Sequence, residues 1–219
     1  MSAVDSRRTR KNPALGSAVR ENVESLVWAV VLMLVVRIFL IQAFRIPSES
    51  MLETLLVGDF LFVTKVDYGA KMPFTKVRLP GLRQPRTGDV IVFQFPLDPS
   101  VDFIKRCIAT GGQSVEIRHK QVFVDGKPLA EPYVRHIDPT EMPIGVSPRD
   151  NLALFTVPPG MLFMMGDNRE NSEDGRFWGF VPMDFVKGRA LFLYFSTGSK
   201  HWWDMPFYIR WNRLLRPIH

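Results

Sequence analysis

The chain reads as a mainly β domain with an inserted small subdomain, tethered by one N-terminal transmembrane helix. Three observations predict this class. A single long apolar run, Leu26 to Phe44, lies near the N-terminus. Behind it come short runs rich in β-branched and aromatic residues, bounded by turn residues. Residues 128–160 then hold many of the prolines, which marks an irregular excursion within the strands.

At 219 residues the chain holds one domain of ordinary size. Its 28 Lys and Arg against 22 Asp and Glu leave a net charge of +6, and the placement of the charge matters more than its total. Cys107 is the single cysteine, so no intrachain disulfide forms. His119, His136, His201 and His219 are scattered without metal-ligand spacing, which predicts neither a metal site nor histidine-dependent catalysis. There are no internal repeats and no long low-complexity tract.

Residues 1–25 carry Arg7, Arg8, Arg10, Lys11 and Arg20 in a polar stretch that reads as a flexible cytoplasmic tail. Residues 26–44 follow with only Arg37 and Gln42 polar. As a helix they would reach roughly 28 Å, about the hydrocarbon thickness of a bilayer. No A-x-A-like site follows, which argues against a cleaved leader. Arg37 would suit a buried core helix or a span in which it snorkels to the nearer interface or meets a partner, and the span fits best. Five basic residues precede the run and only Arg45 follows it closely. The positive-inside rule then leaves the N-terminus in the cytoplasm and residues 45–219 outside, on a single-pass protein of the cytoplasmic (inner) membrane.

Strands are predicted at Phe60–Val63, Asp89–Phe95 and Ala190–Phe195, with hairpin arms at Val115–Ile117 and Gln121–Val124 and a turn at Asp125-Gly126. The inserted subdomain spans about 113–160. Near the C-terminus Trp202, Trp203, Phe207, Tyr208 and Trp211 interleave with Lys200, Arg210, Arg213 and Arg216, a composition that favours the interface of an anionic bilayer.

Three segments carry chemistry. Arg45-Ile46-Pro47-Ser48-Glu49-Ser50-Met51-Leu52-Glu53 begins where the apolar run stops. Such a turn can present the Ser50 and Ser48 hydroxyls together; it also fits a helix cap, with Ser50 and Glu53 as a capping box. In Phe103-Ile104-Lys105-Arg106-Cys107-Ile108-Ala109, a strand would place Lys105 on an apolar face with Phe103, Cys107 and Ala109. Burial there lowers an amine's pKa, so that a neutral lysine becomes a base for a serine. The alternative is an exposed lysine on an edge strand. The polar loop Gly166–Gly179 offers Ser172 to orient an amine and an Asp174–Arg176 pair to stiffen the loop, or it is a self-satisfied turn.

Together these segments resemble bacterial type I signal peptidase, the serine–lysine leader peptidase. The motifs are PSESM, GDFLFVTK, RTGDVIVFQFP running into DFIKR, and GDNRENSEDGRFWG, in this order behind the span. The resemblance implies Ser50 as nucleophile and Lys105 as general base, with Ser48 joining the Ser50 amide in an oxyanion hole. It implies that Ser172 orients the lysine amine and that Asp174 and Arg176 support it. Phe44, Ile46, Met51, Leu55, Val92, Asp102, Phe103 and Ile104 would form small S1 and S3 pockets. No cofactor and no metal are implied. The partners implied are signal peptides of secretory preproteins, the lipid bilayer and the secretion translocon, with no nucleic acid. Departures are Glu53 where proline is usual, Gly175 where serine is usual, and Thr110-Gly111-Gly112-Gln113 in place of a leucine–proline–glycine–aspartate turn. Competing readings are a neighbouring Ser–Lys peptidase maturing conjugation proteins or organelle precursors, a self-cleaving repressor-type protease, and a cationic β domain that binds anionic lipid or nucleic acid and cleaves nothing.

Overall fold

The computed structural model describes residues 15–72, 75, 77–143, 145–198 and 208–218. The chain divides into two compact units, Met1–Arg37 and Ile38–His219. In the first, helix α1 (Leu15–Val35) starts well before residue 26, so part of the expected polar tail is helical. Arg20 and Glu24 lie four residues apart, the helical spacing at which opposite charges pair. Val19–Leu40 is long and apolar enough to cross a membrane, and its side chains up to Arg37 are all exposed.

The helical run ends earlier than Phe44. It loosens into a π-helical stretch, Val36–Leu40, and residues 41–45 form strand β1 (Ile41–Arg45). β1 pairs antiparallel with β2 (Asp59–Thr64), from Ile41 opposite Thr64 to Arg45 opposite Phe60. Had the helix continued, the edge of β2 would have lost these backbone partners.

In the second unit the described strands form two sheets. The larger runs β1, β2, β11 (Val186–Ser196), β3 (Val90–Phe95), β4 (Asp98–Thr110), β9 (Met161–Met165), β10 (Phe180–Pro182), with every paired neighbour antiparallel. The smaller runs β7 (Lys127–Pro128), β6 (Gln121–Val124), β5 (Ser114–Arg118), β8 (Leu152–Thr156). The strands expected near residues 60, 90, 103, 115, 121 and 190 all form, and the Asp125-Gly126 turn joins β6 to β7. β8 lies inside the stretch read as irregular: Leu152 and Phe155 give it half-buried positions, and β5 supplies a free edge for it to pair with.

The excursion leaves the large sheet after β4 and re-enters at β9, the strand paired with β4. Its core is continuous with the sheet it leaves, because Val115, Ile117, Val122 and Val157 pack with Ile108 and Ala109 of β4 and Phe163 and Met165 of β9. A second cluster gathers Ile46, Met51 and Leu55 against Leu61, Val63, Val90, Val92, Ile104, Ala190 and Leu193. The segment that follows β1 is thereby pinned onto the sheet.

The C-terminal stretch departs from the surface reading at one point. Arg213 is buried: Nη2 donates to Asp59 at 2.6 Å and to the Thr54 carbonyl at 3.0 Å. Arg210 donates to the Val57 carbonyl at 3.1 Å. Arg213 thus ties the returning chain to the sheet from a buried position, with Arg210 beside it partly exposed, while Tyr208, Trp211 and Arg216 stay exposed. Trp202, Trp203, Phe207 and Lys200 lie outside the described residues. Arg213→Met would leave the Asp59 carboxylate buried without its main cation, a loss of about 3–5 kcal/mol. Urea unfolding of the detergent-solubilised chain measures it; a change below about 1 kcal/mol would make the pair an ordinary surface contact.

Candidate active site

The pairing of β4 with β9 builds the centre of the site. Arg106 lies opposite Met165 and Cys107 opposite Met164, so the residues after Met165 emerge beside Lys105. Lys105 is 4% exposed on a strand flanked on both sides, not on an edge. Its Nζ donates to Ser172 Oγ at 3.1 Å and lies 5.6 Å from the centre of the Phe103 ring. Burial pushes the Lys105 ammonium down to about 8. Asp174 opposes that shift and Arg176 adds to it.

Behind Ser172 the loop is held from within. Asp174 accepts from Arg176 Nε at 2.9 Å and from the Gly166 N–H at 3.0 Å. Burial pushes the Asp174 carboxyl up, but the Arg176 guanidinium and the Gly166 N–H outweigh it and hold the group below its ordinary value. Asp174 also caps a short helix, α2 (Gly175–Trp178), by accepting from the Arg176 N–H. Gly175 is demanded by packing here: a Cβ would stand 2.8 Å from the Met164 carbonyl oxygen and 2.9 Å from the Phe163 ring. The serine usual at this position has no room beside Phe163.

The segment bearing Ser50 is a succession of turns, and no helix starts there, so the capping box is not used. Ser50 is buried to 9% exposure, and Ser48 Oγ lies 3.4 Å from Ser50 Oγ. Asn168 fixes the turn from the opposite side: its N–H donates to the Ser50 carbonyl and its Nδ2 to the Glu49 carbonyl, both at 3.1 Å. Glu53 has a φ of +79°, which a proline ring cannot adopt, and its carboxylate pairs with Arg135.

A groove of about 450 Å³ is lined by Ser48, Ser50 and Lys105 together with Asp102, Phe103 and Ile104. Of the four hydroxyl and amine groups read as chemical in the sequence, those of Ser48, Ser50 and Lys105 line one groove, and the fourth, Ser172, bonds the amine from behind. Of the expected pocket residues, Asp102, Phe103 and Ile104 form the open wall. Ile46, Met51, Leu55 and Val92 are no more than 2% exposed and lie in the core behind Ile104, with Phe44 half-buried against them. Cys107 is fully buried and its thiol is pushed up to about 12 by that burial, which makes it inert.

The sequence reading missed the residues that tie these parts together. Asp167 accepts from Arg106 Nε at 2.8 Å, Arg106 Nη2 at 2.7 Å and Thr54 Oγ1 at 2.6 Å. One carboxylate thus joins the Ser50 segment, the Lys105 strand and the Ser172 loop. The available signal was the basic residue directly after Lys105 and the Gly-Asp-Asn opening of the loop.

The sequence model of the family described as "Signal peptidase, peptidase S26" matches residues 19–195. The chain belongs to the signal peptidase family. It is a serine peptidase, a hydrolase. A relative described as "Probable signal peptidase I-1", from Synechocystis sp., is 40% identical over 192 residues, covering 84% of this chain and 87% of its own. "Signal peptidase I" from Pseudomonas aeruginosa is 32% identical over 210 residues, covering 82% and 73%. "Signal peptidase I" from Aquifex aeolicus is 32% identical over 229 residues, covering 81% and 85%. A crystal structure of a signal peptidase I from Enterococcus faecalis superposes with a TM-score of 0.41 at 31% identity, over 48% of this chain and 96% of that one. The turn in which this chain departs from the family's usual pattern is closed by Gln113, whose Oε1 accepts from the N–H and Oγ1 of Thr110 at 3.0 and 3.1 Å.

Gly166 is where the parts come closest. A Cβ there would stand 2.2 Å from Ser172 Oγ and 2.5 Å from the Ser50 carbonyl oxygen. Gly166→Ala must widen both gaps, and misplacement on the order of 1 Å costs about 10²-fold in rate. Peptidase assays beside a thermal melt measure this; wild-type turnover in Gly166→Ala would mean that the spacing is not critical.

Proposed function

We propose that the chain is a membrane-anchored signal peptidase I that removes signal peptides from exported preproteins with a Ser50–Lys105 dyad. The observation that carries this reading is a buried lysine, held towards neutrality, on the same groove as a buried serine. The family supplies the substrate class; the groove supplies the chemistry.

In the proposed reaction the neutral Lys105 amine takes the proton of Ser50 as Oγ bonds to the scissile carbonyl carbon. The oxyanion is met by the Ser50 N–H and Ser48 Oγ. As the C–N bond breaks, Lys105 returns the proton to the departing amine. The same amine then deprotonates a water that attacks the acyl carbon, and Ser50 Oγ leaves with a proton. Ser172 fixes the amine by accepting one of its hydrogens, and the Asp174–Arg176 pair keeps Ser172 in place. No cofactor enters any step.

Small residues at P1 and P3 fit a groove whose wall is Asp102, Phe103 and Ile104, backed by the core formed by Phe44, Ile46, Met51, Leu55 and Val92. The proposed anchor is Val19–Leu40, whose exposed apolar side chains suit an apolar surrounding. The proposed setting is the inner membrane, with residues 1–25 on the cytoplasmic side and the catalytic domain outside. There the bilayer and the translocon lie at hand. The inserted stretch of about 113–160 belongs to that catalytic domain.

Purified full-length protein incubated with a secretory preprotein tests the reading. Ser50→Ala and Lys105→Ala should each abolish cleavage while the fold survives, and the double variant should be no worse than either, since the two act as a unit. Wild-type turnover in Lys105→Ala would sink the dyad.

The pH dependence has a definite sign. Protonated Lys105 cannot accept the serine proton, so kcat/KM should rise with pH along a limb centred near 8, the value to which burial pushes the amine. Activity constant from pH 6 to 9 would mean that another group is the base.

A further inference from the structure

The inserted subdomain reaches back to the site through residues 131–137. Glu131 accepts from Arg169, with Nη1 at 3.1 Å from Oε2 and Nη2 closer still at Oε1. Arg169 is 3% exposed, and its Nε donates to the Gly166 carbonyl at 3.0 Å. Two residues on, the ring of Tyr133 lies 3.7 Å from the guanidinium carbon of Arg106. Arg106 is 1% exposed and holds Asp167 through two hydrogen bonds. Gly166 and Asp167 are the first two residues after β9, and each is gripped by an arginine that the strap itself grips. The contact continues along the loop: Arg135 N donates to the Asp167 carbonyl at 3.4 Å, and His136 Nδ1 lies 2.9 Å from a Glu170 oxygen.

These contacts converge on the backbone beside Ser172 and Lys105, not on the subdomain's own core. Arg169 is a buried cation shared between Glu131 and the Gly166 carbonyl. Arg106 is a buried cation that also donates to the Gly88 carbonyl at 2.8 Å and to Thr54 Oγ1 at 3.3 Å, with the Tyr133 ring over its face. Removing the Glu131 carboxylate frees the Arg169 guanidinium, and with it the Gly166 carbonyl; removing the Tyr133 ring opens one face of Arg106 to water and weakens its hold on Asp167. Gly166 packs directly against Ser172, so a small shift there reaches the lysine amine.

We propose that Glu131 and Tyr133 are positioning residues of the active site, acting through Arg169 and Arg106 to set where Ser172 holds the Lys105 amine. This rests on the dyad reading above. The subdomain then matters to catalysis as the outer half of the clamp on the catalytic loop.

The test uses the full-length protein in detergent micelles with a secretory preprotein, comparing wild type with Tyr133→Ala, Tyr133→Phe and Glu131→Gln. Tyr133→Ala and Glu131→Gln should lower kcat by about tenfold or more with KM changed less than about twofold. Tyr133→Phe keeps the ring over Arg106 and should stay within about twofold of wild type. The rising limb of kcat against pH should move to higher pH in the two damaging variants. A looser loop admits water to Lys105, which weakens the burial that lowers it, while Asp174, Asp167 and Glu173 favour its charged form and Arg176 opposes it. Side-chain NMR of the Lys105 amine should report the same upward movement whether or not a preprotein is cleaved. A thermal melt that falls while the Lys105 titration and the limb stay put overturns the proposal, since that is what a structural contact alone would do. Equal kcat in Tyr133→Ala and wild type overturns it as well. An upward Lys105 titration in a protein that cleaves no preprotein supports the positioning role and counts against the signal peptidase reading instead.

Discussion

Everything at the centre of this molecule depends on β4 lying against β9. The two strands are separated in sequence by the whole inserted subdomain, and their antiparallel register sets Arg106 beside Met165. From that register follow the Lys105–Ser172 hydrogen bond, the Arg106–Asp167 pair and the closeness of Gly166 to Ser50. The subdomain does not hang free of this pairing: Val115, Ile117 and Val122 pack on the back of the same two strands. Closing so long a loop costs entropy that grows only slowly with its length, and a shared core of this size offsets it.

Electrostatically the site is a compromise between burial and pairing. Lowering a lysine from its ordinary value to about 8 corresponds to roughly 3 kcal/mol against the charged form. Asp174 works against that effect, and the Arg176 guanidinium, which occupies the carboxylate through Nε and Nη2, offsets part of its influence. The same loop therefore keeps an acidic group near the amine for structure, while Arg176 offsets part of its charge and burial remains the largest influence on Lys105. A second pair, Arg106 with Asp167, is buried to the same extent, each pair having 1% and 0% side-chain exposure. Buried pairs of this kind add little to stability over apolar packing, but losing one partner is expensive. Their presence around Ser50 and Lys105 is better explained by the fixed geometry they impose.

Where the sequence reading succeeded, the signals were local. The strands at β2, β3, β5, β6 and β11 came from short apolar and β-branched runs, and the serine turn and the polar loop from hydroxyl, Gly and Asp clusters whose neighbours in sequence are their neighbours in space. Where it failed, composition was silent about partners. Ile41-Gln42-Ala43-Phe44 continues the apolar run with only Gln42 polar, and the open edge of β2 turns it into a strand. Arg213 looks like any cation among aromatics until Asp59, 154 residues away, is folded against it. Met51 and Leu55 belong to the segment read as pocket wall, yet they sit at 0% exposure because β2, β3 and β11 close over them.

The sequence by itself determined the fold class, the apolar N-terminal run and the family, and it singled out the side chains to which the chemistry is assigned here as a proposal, because each is written in residues close together along the chain. Only the tertiary structure decided that Lys105 is buried, that Ser172 rather than another hydroxyl meets its amine, and that Asp167 binds three segments with one carboxylate. Burial and pairing across 61 and 67 residues are properties of sheet register, and register is settled by the whole set of strands competing for partners, not by any one stretch.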